Sequence, residues 1–166
     1  MQLIRPTNNL KYLKMLEEWK YSKEEMVPFS LKYATKDFKK FIETNERYET
    51  YSEKDFVCHT TFWLINDASE IIGTSNIRHQ LNDSLLIENG HIGCGIKPSC
   101  RGKGHATKIL ALSLEKAKEL GLNKVLLTCD KINIASQKVI LKNGGTLRRE
   151  QIVNGKVIIS FWIDID

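Results

Sequence analysis

Apolar residues in the first third of the chain recur at helical spacing, whereas beyond residue 60 they fall into short runs broken by turn residues. "QLIR" reads as a short strand ended by Pro6. Thr7 is placed as the N-cap of a helix whose Leu10, Tyr12, Leu13, Met15, Leu16 and Trp19 share that spacing. "EEMVPFSLKY" reads as a loop, because Pro28 disfavours helix at the residue before it. A second helix is expected after Thr35, with Phe38, Phe41, Ile42 and Tyr48 on its apolar face. "TFWLI", the turn-like "NDASE" and "IIGTSNIRH" then predict a β-hairpin.

"GHIGCGIKP" predicts a strand, followed by a helix from about Gly104 to Leu120 that Gly121 stops. Ala106, Ile109, Leu110, Ser113, Leu114, Ala117 and Leu120 form its apolar face. "KVLLTC" is a buried strand, and "NIASQKVILKNGG" a helix ended by Asn143 and two glycines. "TLRREQIV" and "KVIISFWIDI" form a last hairpin through Asn154-Gly155, a favoured two-residue turn. The order β-αα-ββ-β-α-β-α-ββ describes an α/β domain around a mixed sheet. No repeat, linker or low-complexity segment divides it, so residues 1–166 read as one domain.

Composition narrows the function classes. At 42% apolar and 27% charged residues the chain belongs with globular domains. A net charge of +5 suits a phosphorylated ligand, but no basic stripe points to nucleic acid. Cys58, Cys94, Cys100 and Cys129 form no CxxC pair and have no histidine at zinc-finger spacing, so neither a metal site nor a disulfide scaffold is expected. The N-terminus lacks a signal-peptide pattern, and no apolar run reaches membrane-spanning length. The expected location is the reducing cytoplasm, with no membrane partner.

The chemistry gathers at "RGKGHATKIL", Arg101 to Leu110. A helix start presents unpaired N–H groups and a positive dipole end. Phosphate oxygens reach them only where side-chain bulk is absent, as at Gly102, Gly104 and Ala106, and Arg101 and Lys103 add positive charge. The stretch fits neither a Walker A loop nor a Rossmann fingerprint. Read alone, it is equally an anion cradle or a tight strand-to-helix turn. The preceding strand decides between them. Gly93 and Gly95 interrupt an apolar strand, which marks a bulge or the close approach of another backbone-like group. A strand splayed from its neighbour has free peptide groups for a ligand that carries amides. Amides at one end and a diphosphate at the other describe coenzyme A.

With these residues in view the sequence resembles the GNAT superfamily of N-acyltransferases. The family signature [QR]-x-x-G-x-[GA] is matched by Arg101-Gly102-Lys103-Gly104-His105-Ala106. A later family element is matched by "LLTCDKINIASQKVILKNGG", with Asn133, Ala135, Ser136 and Gly144 in place. The matches run from about Ile71 to Ile163. The first seventy residues follow the family in outline, where its acceptor specificity varies. The resemblance implies a GNAT-like mixed central sheet of about seven strands flanked by about four helices, with a splayed strand and a phosphate-binding loop. It implies that acetyl-CoA, as acyl donor, and an amine acceptor bind together and react directly. Backbone from Arg101 through Gly102, Lys103, Gly104, His105 and Ala106 to Thr107 would hold the diphosphate. Main-chain groups near Cys94 and Ile96 would pair with the pantetheine arm, with Asn133 and Ser136 beside it. A strand N–H near Ile96 would stabilise the oxyanion, and proximity would supply much of the rest.

The chain departs from the family at its acid and base positions. Many members place a Tyr seven residues after the Asn; here that residue is Ile140. Positions where relatives carry a base hold Thr128 and Gly90. An amine must lose a proton to react, and the nearby candidates are Glu88, then Asp130, then His91. Strand alternation puts Glu88 on the side of Gly90. Each has a structural alternative: a turn carboxylate, a helix cap, a surface histidine. Cys100 is read as a bystander, and Cys94 and Cys129 as small apolar strand residues. Trp63, Arg78, His79 and Trp162 are candidates for an acceptor pocket, with core packing or a solvated strand end as the alternative. The expected function is acetyl transfer from acetyl-CoA to a primary amine of a small molecule or protein. The other reading is a binding module that holds acyl-CoA without turnover. The last hairpin offers an edge strand for a homodimer.

Overall fold

The apolar run of "TFWLI" is continuous rather than alternating because both faces of its strand are covered. The computed structural model of the chain describes residues 1–7, 11–24, 26–33 and 37–165. Strand β2 (His59–Ile65) is buried at every position. Phe62 and Leu64 join one apolar cluster, while Trp63 and Ile65 join another on the opposite face. Around it lie β1 (Gln2–Ile4), β3 (Ile71–Arg78) and β4 (Ile92–Ile96), in the order β1-β2-β3-β4. A second sheet, ordered β5-β7-β6, is made of β5 (Lys124–Asp130), β6 (Thr146–Val153) and β7 (Lys156–Asp164). Every described strand pair is antiparallel.

Helices α1 (Lys11–Tyr21) and α2 (Phe38–Thr50) cover one face of the first sheet, where Tyr12 stacks on Trp63 with ring centroids 5.4 Å apart. On the other face α4 (His105–Glu119) buries Ile109, Leu110, Ser113 and Ala117. Ser113 fits among apolar neighbours because its hydroxyl meets Ser75 Oγ at 2.7 Å and donates to the Ile109 carbonyl at 2.7 Å. Helix α5 (Ile134–Lys142) follows β5, and a short helix α3 (Asp83–Ile87) precedes β4.

The expected seven strands and splayed strand are present, but the seven strands form two hydrogen-bonded sheets. Five α-helices are described where about four were expected. The addition, α3, is capped by Asn82, whose side chain accepts from the Leu85 N–H at 2.9 Å. The segment read as a loop around Pro28 contains a 3-10 helix, Phe29–Tyr33. Helix α2 is capped by Asp37 through the Lys40 N–H at 3.1 Å, whereas Thr35 and Leu10 lie outside the described residues.

The two sheets meet at one point. The His91 N–H donates to the Leu126 carbonyl at 2.7 Å, and the Leu126 N–H donates to His91 Nδ1 at 2.8 Å. Beyond that joint β4 and β5 share no ladder, and both line one cleft of about 770 Å³. Most of the candidate site residues line this cleft.

Candidate active site

Ladder parity decides which peptide groups of β4 are free. The Arg78 N–H bonds to the His91 carbonyl at 2.8 Å, and the Lys97 N–H to the Ile72 carbonyl at 3.0 Å. Alternate residues of an antiparallel strand face the partner, so Gly93 and Gly95 also direct their peptide groups to β3. Cys94 and Ile96 therefore face the open edge. The Ile96 carbonyl accepts Arg101 Nε at 3.0 Å. What remains on the edge is the Ile96 N–H and both peptide groups of Cys94.

The two strand glycines have a different origin from the one expected. A Cβ on Gly95 would lie 2.3 Å from the Val27 carbonyl oxygen, and one on Gly93 would lie 3.3 Å from Pro28 Cβ. The backbone that crowds this strand is the chain's own, from the segment between α1 and the 3-10 helix. That segment forms one wall of the cleft through Met26, Val27 and Pro28, continued by Phe29 of the 3-10 helix.

Gly102 and Gly104 have φ of 74° and 79°, and a Cβ on either would meet nothing within 4 Å. The left-handed backbone requires glycine, and the space above it is open. Gly104 is the N-cap of α4 and supplies no side-chain cap. At the ends of the expected stretch, the Arg101 N–H bonds to Pro98 at 3.2 Å and the Thr107 N–H to Gly104 at 3.1 Å. Between them, the amides of Gly102, Lys103, Gly104, His105 and Ala106 have no hydrogen-bond partner among the described residues. Such a row at a helix start has the form that suits an anion.

Two carboxylates tie this region to α1 and the loop after it. Glu24 pairs with Arg101 at 2.6 Å, so that guanidinium is compensated rather than offered to the cradle. Lys103 Nζ turns back to the Ser99 carbonyl at 3.3 Å. Glu18 accepts the Ser99 N–H at 2.6 Å and lies 3.7 Å from Lys97. Burial opposes its ionisation, but the Ser99 amide and Lys97 prevail and its pKa is lowered.

On the far wall, Asn133 caps α5 by accepting the Ser136 N–H at 3.0 Å, and both residues line the cleft. Ile140 is buried there, with an aliphatic side chain where the family pattern has a phenol. Burial pushes the Cys94 thiol up to about 11, and burial with Asp130 does the same for Cys129, so both stay neutral.

The three candidate bases fall in different places. Glu88 lines the cleft half-buried, and its carboxylate has no partner among the described residues. Strand alternation is not what puts it there: Asn89 and Gly90, at φ of 79° and 56°, form a left-handed turn before β4 begins. Thr128 Oγ1 accepts the Asn89 N–H at 2.9 Å, and the Arg78 guanidinium donates to the carbonyls of Asn89 and Gly90 at 3.3 and 3.1 Å. Asp130 also lines the cleft, and accepts the Ile132 N–H at 3.1 Å. His91 is buried in the joint between the sheets rather than on the surface, and is not among the lining residues. Among the acceptor-pocket candidates, Arg78 lines the cleft. Trp63 is core, His79 meets Thr60 Oγ1 at 2.9 Å, and Trp162 lies under Lys124 and Arg148.

Burial, then the Arg78 charge, lowers His91 to about 4; burial, Arg78 and His79 lower His59 to about 4. Both histidines regain the ordinary 6.5 on unfolding, so between these values the unfolded chain binds more protons. Stability is therefore full above about pH 6.5 and is lost as pH falls toward 4. The thermal midpoint should fall steadily through that window. His91→Asn, which keeps an acceptor for the Leu126 N–H, should make the fall shallower. An equal slope in parent and variant would exclude His91 as a contributor.

A free strand edge that ends in an anion cradle is the arrangement of the acyl-CoA-dependent transferase class. The model of the acetyltransferase (GNAT) domain family matches residues 3–146, and the chain belongs to that family. The remaining segment completes the second sheet, since β7 lies between β5 and β6. No curated protein matches the sequence. Among solved structures, a mutant of the spermidine N-acetyltransferase SpeG from Vibrio cholerae is 15% identical, with a TM-score of 0.68 over 99% of this chain and 95% of that one. The putative acetyltransferase yncA from Salmonella typhimurium, solved with acetyl-CoA, is 12% identical, with a TM-score of 0.68 over 100% and 95%. A putative phosphinothricin N-acetyltransferase is 12% identical, with a TM-score of 0.60 over 99% of both chains. At these identities the likeness is one of fold. Among the described residues there is no cluster of metal-ligating side chains, and no helix long and apolar enough to cross a membrane.

Proposed function

We propose that this chain is an N-acetyltransferase that moves an acetyl group from acetyl-CoA directly to a primary amine. The observation that carries the reading is the row of five amides, Gly102 to Ala106, without partners among the described residues, beside the free edge of β4. Those amides would hold the diphosphate. The edge groups of Cys94 would pair with the amides of the pantetheine arm, Ile96 would face its thioester end, and Asn133 and Ser136 would flank it. When bound, acetyl-CoA supplies the thioester: the amine nitrogen bonds to the acetyl carbon, the carbon–sulfur bond breaks, and the sulfur departs.

The Ile96 N–H donates to the acetyl oxygen as charge develops there, a dipole set in place before reaction. Glu88 accepts the amine proton, directly or through water. Asp130 is the second choice, since its carboxylate already serves a turn. His91 holds the two sheets together. With Ile140 at the phenol position, solvent protonates the departing sulfur. The whole chain acts as one domain without a metal, in the cytoplasm, where its four free cysteines suit a reducing compartment.

Calorimetry with acetyl-CoA, followed by thiol release on adding pooled amines, tests this. Binding with release by one amine class is the expected result. The aliphatic Ile140 favours one other reading, a module that holds acyl-CoA without turnover. Tight binding with no release from any amine would establish that reading instead. Absence of binding would reduce "RGKGHATKIL" to a tight turn.

A further inference from the structure

Among the described residues, the cleft holds one guanidinium without a carboxylate partner. Arg78 lines the cleft, and no carboxylate pairs with its guanidinium among the described residues. A guanidinium has five N–H donors. One terminal nitrogen of Arg78 serves the carbonyls of Asn89 and Gly90 at 3.3 and 3.1 Å. The other terminal nitrogen and Nε have no partner among the described residues, which leaves three donors. Neutral carbonyls do not cancel the charge, and a desolvated unpaired cation is costly. Burial lowers the Arg78 pKa only to about 10, so it remains charged at neutral pH.

The same turn holds an anion. Glu88 immediately precedes Asn89 and also lines the cleft, yet the two side chains form no ion pair. The cleft therefore offers a carboxylate for an amine and a guanidinium for an oxyanion, linked through the Asn89–Gly90 turn. By contrast, Arg101 is already neutralised by Glu24 at 2.6 Å. A polyamine would bring a second cation against Arg78, and a peptide N-terminus would leave it without an anion.

We infer that the acceptor is a free amino acid or close analogue, with its amine at Glu88 and its carboxylate on Arg78. The inference rests on the amine-transfer reading and names its substrate class. Arg78 is then both a clamp on the Asn89–Gly90 turn and the group that selects the acceptor.

The test compares a pool of L-amino acids with a pool of the same amino acids as carboxamides, and with spermidine. Each is titrated calorimetrically onto protein saturated with CoA, and each is assayed for thiol release from acetyl-CoA. The amino-acid pool should bind and react at least tenfold better than the amides, with spermidine inactive. Arg78→Gln should erase the difference through KM, and Arg78→Lys should keep part of it. A clamp without a recognition role would weaken both pools equally in Arg78→Gln, and that result would overturn the inference. Release from amides and acids alike would overturn it too, while leaving amine transfer intact. Carboxylate-dependent binding without release from any amine would leave the anion site standing and overturn the transfer.

Discussion

Gly104→Glu should abolish acetyl-CoA binding in a calorimeter while the chain stays folded. At φ of 79° an L-residue is strained, at a cost of about 1–2 kcal/mol. Nothing lies within 4 Å of the new Cβ, so no packing is broken and the thermal midpoint should fall only slightly. The added carboxylate stands at the positive end of α4, where the helix dipole favours it. It can accept from the amides that the diphosphate needs and repels the diphosphate itself. Affinity should fall by at least about a hundredfold, close to 2.7 kcal/mol. Gly104→Ala separates the causes, because it carries the strain without the charge and should weaken binding only mildly. A Glu variant that still binds within tenfold of the parent would show that the diphosphate does not sit on these amides.

What could be read from the sequence is what local rules control. Gly102 and Gly104 stand at left-handed positions, and Asn154-Gly155, at φ of 49° and 78°, closes the last hairpin as its turn chemistry requires. The same dipeptide at Asn89-Gly90 makes a left-handed turn too, although "GHIGCGIKP" reads as a strand from its first glycine. That Asn-Gly signal favours the turn alternative for Glu88 over strand alternation. Other features are set by residues far apart in the chain. Arg101 reads as a phosphate contact until Glu24, 77 residues earlier, is seen to pair with it. The glycines of β4 read as room for a ligand until Val27 is seen against Gly95. His91 reads as a surface histidine until the splay of the sheets places it opposite Leu126. No spacing rule reports these approaches, since each depends on how the segment after α1 folds over β4 and on where β5 leaves it.

Replacing Glu88 by Gln should lower kcat/KM at neutral pH by about a hundredfold or more, within the usual range for a lost general base, and leave acetyl-CoA affinity unchanged. The amide matches the carboxylate in size. The backbone N–H of residue 88 keeps its bond to the Ser84 carbonyl at 2.9 Å, so α3 and the turn after it hold their shape. Arg78 also keeps both of its carbonyl partners on that turn, so the loss should appear mainly in kcat. The acid limb of the pH–rate profile, where a base is protonated, should disappear in the variant. Asp130→Asn is the counter-test: an Asn oxygen still accepts the Ile132 N–H, and rates should stay near those of the parent. A pH–rate profile unaltered by Glu88→Gln would remove Glu88 from the mechanism. Loss of the acid limb in Asp130→Asn instead would move the base to the end of β5.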